Sequence, residues 1–269
     1  MNIGFWNING KKLGTPIRDF AIINQLDILI LGESPYEPSE LLLILNQYSS
    51  DYFYAPEIIC KKIQFFIKFK PELFSLIEEK NRISVRRLFS AKHGVVTLVA
   101  VHYNSKVNWS NEDQAAQSLI YKNLIDSVEA REGHKRTIIC GDFNMNPFDV
   151  GMVQSTGLHA VMEKKIAIKQ SRIIDGDSYD FFYNPMWSFL GDLGKGEVSG
   201  SLYYSPAKPI NYHWNLFDQV LIRPALINDF VDDELDIITK IGKIELLTKN
   251  HTIDTNYSDH LPIKFKINI

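Results

Sequence analysis

The chain has 269 residues, 45% hydrophobic and 23% charged, with a formal net charge of −3. That length supports one sizeable core, and that balance excludes a disordered or fibrous chain. No run approaches the roughly 20 apolar residues of a membrane span, so no membrane association is expected.

The elements follow in chain order. Short apolar runs alternate with amphipathic stretches, the pattern of an α/β protein. "NIGFWN" reads as a strand from the second residue, with none of the basic, apolar and small-residue series of an export signal. "TPIRDFAIINQL" predicts a helix with Thr15 as N-cap and Pro16 at its first position. "DILILGE" is a continuous run of buried-strand type, and "PSELLLILNQY" a second helix. "YFYAP", "IQFFIKF", "RISVRRLF" and "GVVTLVAVHY" follow as strands expected to be antiparallel neighbours.

A helix is predicted over residues 112–131, with Ala116, Leu119, Ile120, Leu124 and Val128 on its buried face and Gly133 as its stop. The strand "RTIIC" comes next, then a short helix begun by Pro147. Between Lys164 and Pro209 periodicity is poor, and the aromatics there suggest long loops beside a site. "LFDQVLI", "KIELL" and "LPIKFKI" complete the strands, and no linker or repeat divides residues 1–269, so a single domain is expected. Cys60 and Cys140 lack metal-type spacing and read as buried thiols of a reducing compartment, the cytoplasm.

Charge is unevenly spread. Between Lys61 and Lys92 nine Lys/Arg stand against three Glu, a local excess of +6 that leaves −9 on the rest of the chain. One basic face on an acidic body suits a polyanion, with Arg86 and Arg87 among the expected contacts. The plainer alternative is lysines that keep strand edges soluble.

Polar groups recur where the predicted strands begin and end. Asn7 follows "GFW", Glu33 follows "LILG", and His102 closes "VVTLVAV". Asp142 and Asn144 follow "TIIC" and Gly141, Asp218 opens "QVLI", and Asp259 and His260 precede "LPIKF". Each alone has an ordinary explanation as a turn or helix cap. In a layered α/β fold, however, loops at one edge converge, and these residues can then meet. His93, His134 and His159 are expected on the surface, while His213, just before "FDQV", could reach a substrate.

The motifs "GFWNING", "LILGESP", "VAVHYNS", "IICGDFNMNP", "FDQVLI" and "SDHLPI", in this order, resemble the endonuclease/exonuclease/phosphatase superfamily, which includes DNase I. The resemblance spans Ile3 to Ile267 and implies a four-layer α/β/β/α sandwich, two mixed sheets face to face with helices outside. It implies phosphoester hydrolysis with Mg²⁺ or Mn²⁺, hard ions that prefer oxygen ligands. Glu33, Asn7 and Asp259 would contribute to metal binding. Asp142 would orient or deprotonate the attacking water, Asn144 would donate to a phosphate oxygen, and Asp218 would pair with His260. His102 would contact phosphate or protonate the leaving oxygen, and whether His260 or Asp142 activates water stays open.

Two departures narrow the branch. Asn9 stands where the abasic-site branch usually has aspartate, and "WNLFDQV" lacks the inositol-phosphatase motif of tryptophan, cysteine, aspartate and arginine. The expected partner is a nucleic acid, DNA before RNA, acted on by a monomer. Trp187, Tyr203, Tyr204 and Trp214 are candidates to stack on its bases. A small-molecule or nucleotide phosphodiesterase is the alternative, and a catalytically inactive binding module is a third reading that the intact residue set opposes.

Overall fold

The computed structural model describes residues 1–48 and 51–269. Strand β1 (Asn2–Asn7) leads into helix α1 (Gly14–Ile23), strand β2 (Ile28–Gly32) and helix α2 (Pro38–Leu45). Leu13, not Thr15, is the N-cap of α1, and it makes no side-chain cap bond. Pro16 then sits inside the first turn, where a missing N–H has no intrahelical partner to lose.

Strands β3 (Phe53–Ala55) and β4 (Ile63–Ile67) pair antiparallel and join β2. Next come β5 (Phe74–Lys80), β6 (Ile83–Ser90) and β7 (Gly94–His102), an antiparallel meander in a second sheet. The β-rich run is therefore shared between two sheets rather than being one set of neighbours. Strand β5, "FSLIEEK", escaped the sequence reading because its inward residues are interrupted by a register shift between Leu76 and Glu78.

Helix α3 (Asn111–Glu132) starts at a capping box of Ser110 and Asp113 and ends on a left-handed Gly133. It leads into β8 (Thr137–Asp142), α4 (Val150–Val153), β9 (Ala160–Val161) and α5 (Lys164–Ala167). The poorly periodic region holds the hairpin β10 (Ser171–Ile174) and β11 (Asp177–Asp180), then β12 (Phe182–Tyr183). It also holds a second hairpin, β13 (Leu202–Tyr204) with β14 (His213–Asn215). Strands β15 (Asp218–Ile222), β16 (Phe230–Ile237), the small hairpin β17 (Lys240–Ile241) and β18 (Ile244–Glu245), and β19 (Ile263–Ile267) follow.

Two mixed sheets result, ordered β16-β19-β1-β2-β4-β3 and β5-β6-β7-β8-β15-β12-β9. Strand alternation explains the layers. Leu98, Ala100, Ile138, Cys140, Val220 and Ile222 face the first sheet and share one core with β1, β2, α1 and α2. Their alternates Val99, Val101, Ile139 and Leu221 face Tyr121, Ile125 and Val128 of α3. Helices thus cover both outer faces, as in the expected four-layer sandwich. Both cysteines are free and buried.

Helix α3 buries a different face from the predicted one. Leu119 and Ile120 are exposed, Ala116 is exposed, and only Val128 of the predicted set is buried. The inner face instead carries Gln114, Gln117, Ser118, Tyr121 and Glu129. Hydrogen bonding selects it: Gln114 Nε2 donates to the carbonyls of Asn104 and Asn144, and Glu129 accepts from Thr137 Oγ1 and Arg223. Buried loop carbonyls need donors, and an apolar face would have left them unpaired.

One backbone approach is tight enough to demand glycine. Gly141 pairs in register with Val101, and its φ is +141°. A Cβ there would lie 2.0 Å from the Val101 carbonyl oxygen. Gly141→Ala is therefore expected to cost about 3 kcal/mol or more, near the upper end of single substitutions. Denaturant and thermal unfolding measure this, and a Tm within a degree of the parent protein would refute the close approach.

Candidate active site

Topology brings the polar strand ends together. Strands β1 and β2 are parallel, as are β7 and β8, so Asn7, Glu33, His102 and Asp142 arrive at one edge. Strand β15 runs antiparallel to β8 and places Asp218 opposite Asp142. Strand β19 runs antiparallel to β1, so the residues leading into it, Asp259 and His260, reach the same edge. His102 is the register partner of Asp142 on its other side.

The side chains then interlock. Asn7 Nδ2 donates to Asp142 Oδ2 at 3.0 Å, linking the two sheets. Asp142 Oδ2 lies 3.8 Å from His102 Nε2 and 3.9 Å from His260 Nε2. His260 Nδ1 is 2.7 Å from Asp218 Oδ2. Glu33 Oε1 is 2.9 Å from His102 Nε2, and Lys62 Nζ is 4.0 Å from the same oxygen. The Asn144 backbone N–H donates to Asp142 Oδ1 at 2.8 Å, while its side-chain amide donates to the Tyr103 carbonyl at 3.0 Å. Asp259 adjoins His260 and lies 3.5 Å from Ser258 Oγ. Glu33 and Asn144 both have φ near +50°, a conformation that costs of order 1–3 kcal/mol and concentrates at functional sites.

Several supporting residues were not foreseen. Arg82 lies 2.8 Å from His102 Nδ1; guanidinium only donates, so Nδ1 accepts and Nε2–H is left to face Glu33. Ser258 Oγ donates to the Asn7 carbonyl and accepts the His260 N–H, and Ser201 Oγ accepts the Asp218 N–H. Trp6 Nε1 donates to the His260 carbonyl. Their signal in the sequence is only adjacency, as with Ser258 inside "SDH", because a hydroxyl brace has no spacing of its own.

Asn146 braces rather than reaches the site. Its amide donates to Asn215 Oδ1 and its oxygen accepts the Leu216 N–H, fixing the lead into β15. Asp149 sits at the N-cap position of α4 without a side-chain cap bond; its carboxylate accepts the Asn146 N–H and pairs with Lys106. His213 is exposed on β14, its Nδ1 3.2 Å from Ser205 Oγ. His159, expected on the surface, is buried against the Phe181 ring. His93 is partly buried against Asp229, and His134 accepts the Arg136 N–H.

Part of the basic segment is taken up by ion pairs within the fold. Arg86 is buried between Glu57 and Glu79 and lies over the Phe65 and Phe74 rings. Arg87 binds Glu132 through two nitrogens, and Lys92 pairs with Asp229. Arg86 is not available to a polyanion, because its desolvated guanidinium requires the carboxylates that hold it, whereas Arg87 is partly exposed and engaged by Glu132.

Electrostatics separate the titrating groups. The hydrogen bond from His102 holds the Glu33 carboxyl down at about 2, against the opposing effect of burial. Burial works to lower His260, but Asp218, Asp142 and Asp259 overcome it and raise the ring to about 10. Burial raises Asp142, with His260 opposing the rise and Asp218 adding to it.

Asp142, Asp218 and His260 present ligand atoms within 4.8 Å of one another, a group able to hold a metal ion. Asp218 Oδ1 is buried without a hydrogen-bond partner, as a cation-binding oxygen would be. Glu33 and Asn7 add hard oxygens at the same edge, so the donor set fits a small divalent cation.

A family model described as the Endonuclease/Exonuclease/phosphatase family matches residues 4–260. Among solved structures, the chain is similar to the endonuclease domain of TRAS1, a telomere-specific non-LTR retrotransposon. Identity there is 17%, over 100% of this chain and 98% of that one, with a TM-score of 0.51. It is similar to D. rerio TDP2 complexed with single strand DNA product, at 16% identity over 100% and 99% of the chains, TM-score 0.55. It is also similar to the 3′ phosphatase NExo from Neisseria bound to product DNA hairpin, at 13% identity over all of both chains, TM-score 0.54. At these identities the likeness is one of fold. No curated protein sequence matches the chain.

The raised His260 has a pH consequence in the metal-free protein. A folded value above the ordinary 6.5 means its stabilisation is complete below about pH 6.5 and is lost as pH rises through about 10. NMR titration should show a ring that stays protonated at pH 8, and in Asp218→Asn the titration should move to lower pH. A ring already neutral at pH 8 in the parent protein would contradict the field of the three aspartates.

Proposed function

From the premise that the chain belongs to the endonuclease/exonuclease/phosphatase family, we propose that it is a metal-dependent phosphodiesterase that cleaves nucleic acid, DNA before RNA. One observation carries this reading: buried His260 and Asp142 meet Glu33 at one sheet edge, where the aspartates raise His260 and the His102 hydrogen bond lowers Glu33. The placement suits an anionic ester attacked by water, which needs positive charge, a base and oriented donors.

Glu33, Asn7 and Asp259 would hold Mg²⁺ or Mn²⁺. His260 favours this assignment over the tighter Asp142, Asp218 and His260 group, because an imidazole must lose its proton before it can ligate. Bound there, the cation would neutralise phosphate charge and stabilise the oxygen on which charge develops.

The chain's own residues take the remaining roles. Asp142, raised by burial, would accept the proton of the attacking water, which a protonated His260 has no lone pair to do. His260 would place positive charge against a phosphate oxygen, with Asp218 fixing the ring. Asn144 would use its second amide hydrogen on phosphate, the first being held by the Tyr103 carbonyl. His102 would present Nε2–H to a phosphate or leaving oxygen once it parts from Glu33.

The nucleic-acid part rests on the surroundings. The β13–β14 hairpin is bridged to His260 through Leu202, and it presents Tyr204 with the neighbouring Tyr212 to solvent. Tyr203 and Trp214 pack against each other and the core, which leaves the first two as the candidates for base stacking. TRAS1 is named for an endonuclease domain, and the TDP2 and NExo structures hold DNA products. We read residues 1–269 as one domain, since β1 and β19 from its two ends pair in one sheet, and as a monomer of a reducing compartment. Among the described residues no helix is long and apolar enough to cross a membrane.

Glu33→Gln is expected to lower kcat by roughly 10²–10³-fold and to raise the Mg²⁺ concentration needed, and Asp142→Asn to lower kcat at least as far. His260→Ala should lose roughly 10³-fold with metal affinity nearly unchanged. Single-stranded DNA, plasmid, RNA and a minimal aryl phosphodiester, assayed with each metal, provide the measurement. Turnover of the aryl diester with no cleavage of any nucleic acid would replace the nuclease reading with that of a small-molecule phosphodiesterase.

A further inference from the structure

Glu33 stands just beyond the ladder of β2 and β4, whose last pair is Gly32 with Ile63. Its backbone is held from two sides. The Glu33 N–H donates to the Lys62 carbonyl at 3.0 Å, and the Glu33 carbonyl accepts the Gly10 N–H at 3.0 Å. A φ of +51° is a left-handed conformation that a non-glycine residue keeps only where its surroundings impose it. The place of the Lys62 carbonyl therefore bears on where the Glu33 carboxylate points.

Lys62 ends the loop 56–62 between β3 and β4, and apolar burial does little to anchor that loop. Of its residues only Cys60 is buried, while Ile58 and Ile59 are 77% and 51% exposed. Polar side chains of the second sheet hold it instead. Glu79 Oε2 accepts three successive N–H groups, from Ile58 at 3.0 Å, Ile59 at 2.6 Å and Cys60 at 3.2 Å. Arg86 Nη2 donates to the Pro56 carbonyl at 2.7 Å and lies 3.6 Å from Glu57 Oε1. The side chains of Glu79 and Arg86 are each 2% exposed, with Arg86 Nη2 3.9 Å from Glu79 Oε1. A carboxylate that accepts three N–H groups in so dry a place ties the loop more firmly than neutral hydrogen bonds would.

A bulge aims Glu79 at this loop. Leu76 pairs with Arg86 and Glu79 with Ser84, the register shifting between Leu76 and Glu78. Side chains alternate across a strand, so without the extra residue Leu76 and Glu79 would point to opposite faces. The shift puts both on the face towards the first sheet, where Arg86 lies over the Phe65 ring of β4. One acid of the polar hairpin end "EEK" is thereby turned inward, where Ser84 Oγ also donates to it.

We propose that Glu79 is a positioning residue for Glu33: by clamping the 56–62 loop it fixes the Lys62 carbonyl, and through that carbonyl the metal-binding geometry of the site. Glu79 itself touches neither metal nor substrate. The inference rests on the reading of Glu33 as a metal ligand. Partners that orient a ligand from behind are worth about 10–100-fold in metal affinity.

The test measures Mn²⁺ binding without substrate, from the electron paramagnetic resonance of the free ion, together with hydrogen exchange at the Glu33 amide. In Glu79→Gln the Mn²⁺ Kd should rise about tenfold, and the Glu33 amide should exchange about tenfold faster. Nucleic-acid cleavage lost at low Mg²⁺ should return at high Mg²⁺, a recovery that a shortage of folded protein would not show. Glu132→Gln, which breaks the Arg87 pair on the other face of β6, is the comparison: it should lower Tm and leave the Mn²⁺ Kd unchanged. If Glu79→Gln does not fold, Glu79→Asp keeps the charge beside Arg86 but shortens the reach to the loop, and it should shift both quantities in the same direction. A Kd or an exchange rate that does not move in the folded variant, or an equal rise of Kd in Glu132→Gln, overturns the inference. If the parent protein binds no Mn²⁺, the metal reading of Glu33 fails, and the clamp is decided by the Glu33 amide alone, where equal exchange rates would overturn it.

Discussion

Two buried carboxylates face one another across the β8–β15 pair, and the site exists because an imidazolium stands with them. Asp142 and Asp218 are register partners with almost no solvent exposure. Unpaired, each would cost several kcal/mol to desolvate. His260 supplies the positive charge, bonded to Asp218 and within 4 Å of Asp142. The histidine in turn can stay charged in a buried place only because three aspartates surround it. Each group makes the others' charge states tolerable, so the three act as one unit.

That unit constrains the scaffold around it. His260 enters from the first sheet and both aspartates from the second, so the two sheets must hold a fixed offset. Asn7 bonding to Asp142, Trp6 to the His260 carbonyl and Ser258 to the Asn7 carbonyl provide it. Gly141 lets β7 approach β8 closely enough for His102 to stand beside Asp142. On the outside, α3 gives up an apolar face to hold the carbonyls of the loops that follow β7 and β8. Leu119 and Ile120 are left in solvent as a result, a local cost accepted where function needs ordered loops.

The basic segment shows how charge counting can mislead about partners. Three of its nine basic residues, Arg86, Arg87 and Lys92, are held by Glu57, Glu79, Glu132 and Asp229, which lie at distant sequence positions except for Glu79. Among the described residues Lys61, Lys68, Lys70, Lys80 and Arg82 keep no carboxylate partner. A sum along the chain does not say which of its charges the fold leaves for a ligand.

The sequence by itself determined the strand and helix types, the strand-end polar residues and the family to which the chain belongs. Those features are local: apolar runs, a Pro or Gly beside them, and motifs such as "GDFN" and "SDHLP". The buried β1, β2, β8 and β15 were legible because apolar runs have few other uses, and β19, "IKFKI", because its apolar residues alternate with lysines. Only the tertiary structure decided the division of the β-rich run between two sheets, the buried face of α3, and the fates of Arg86, Arg87 and Lys80. Each depends on a partner far along the chain, as Arg87 depends on Glu132 and Gln114 on the Asn144 carbonyl. Burial and charge pairing are properties of neighbours in space, and a linear pattern carries no record of which neighbours those will be.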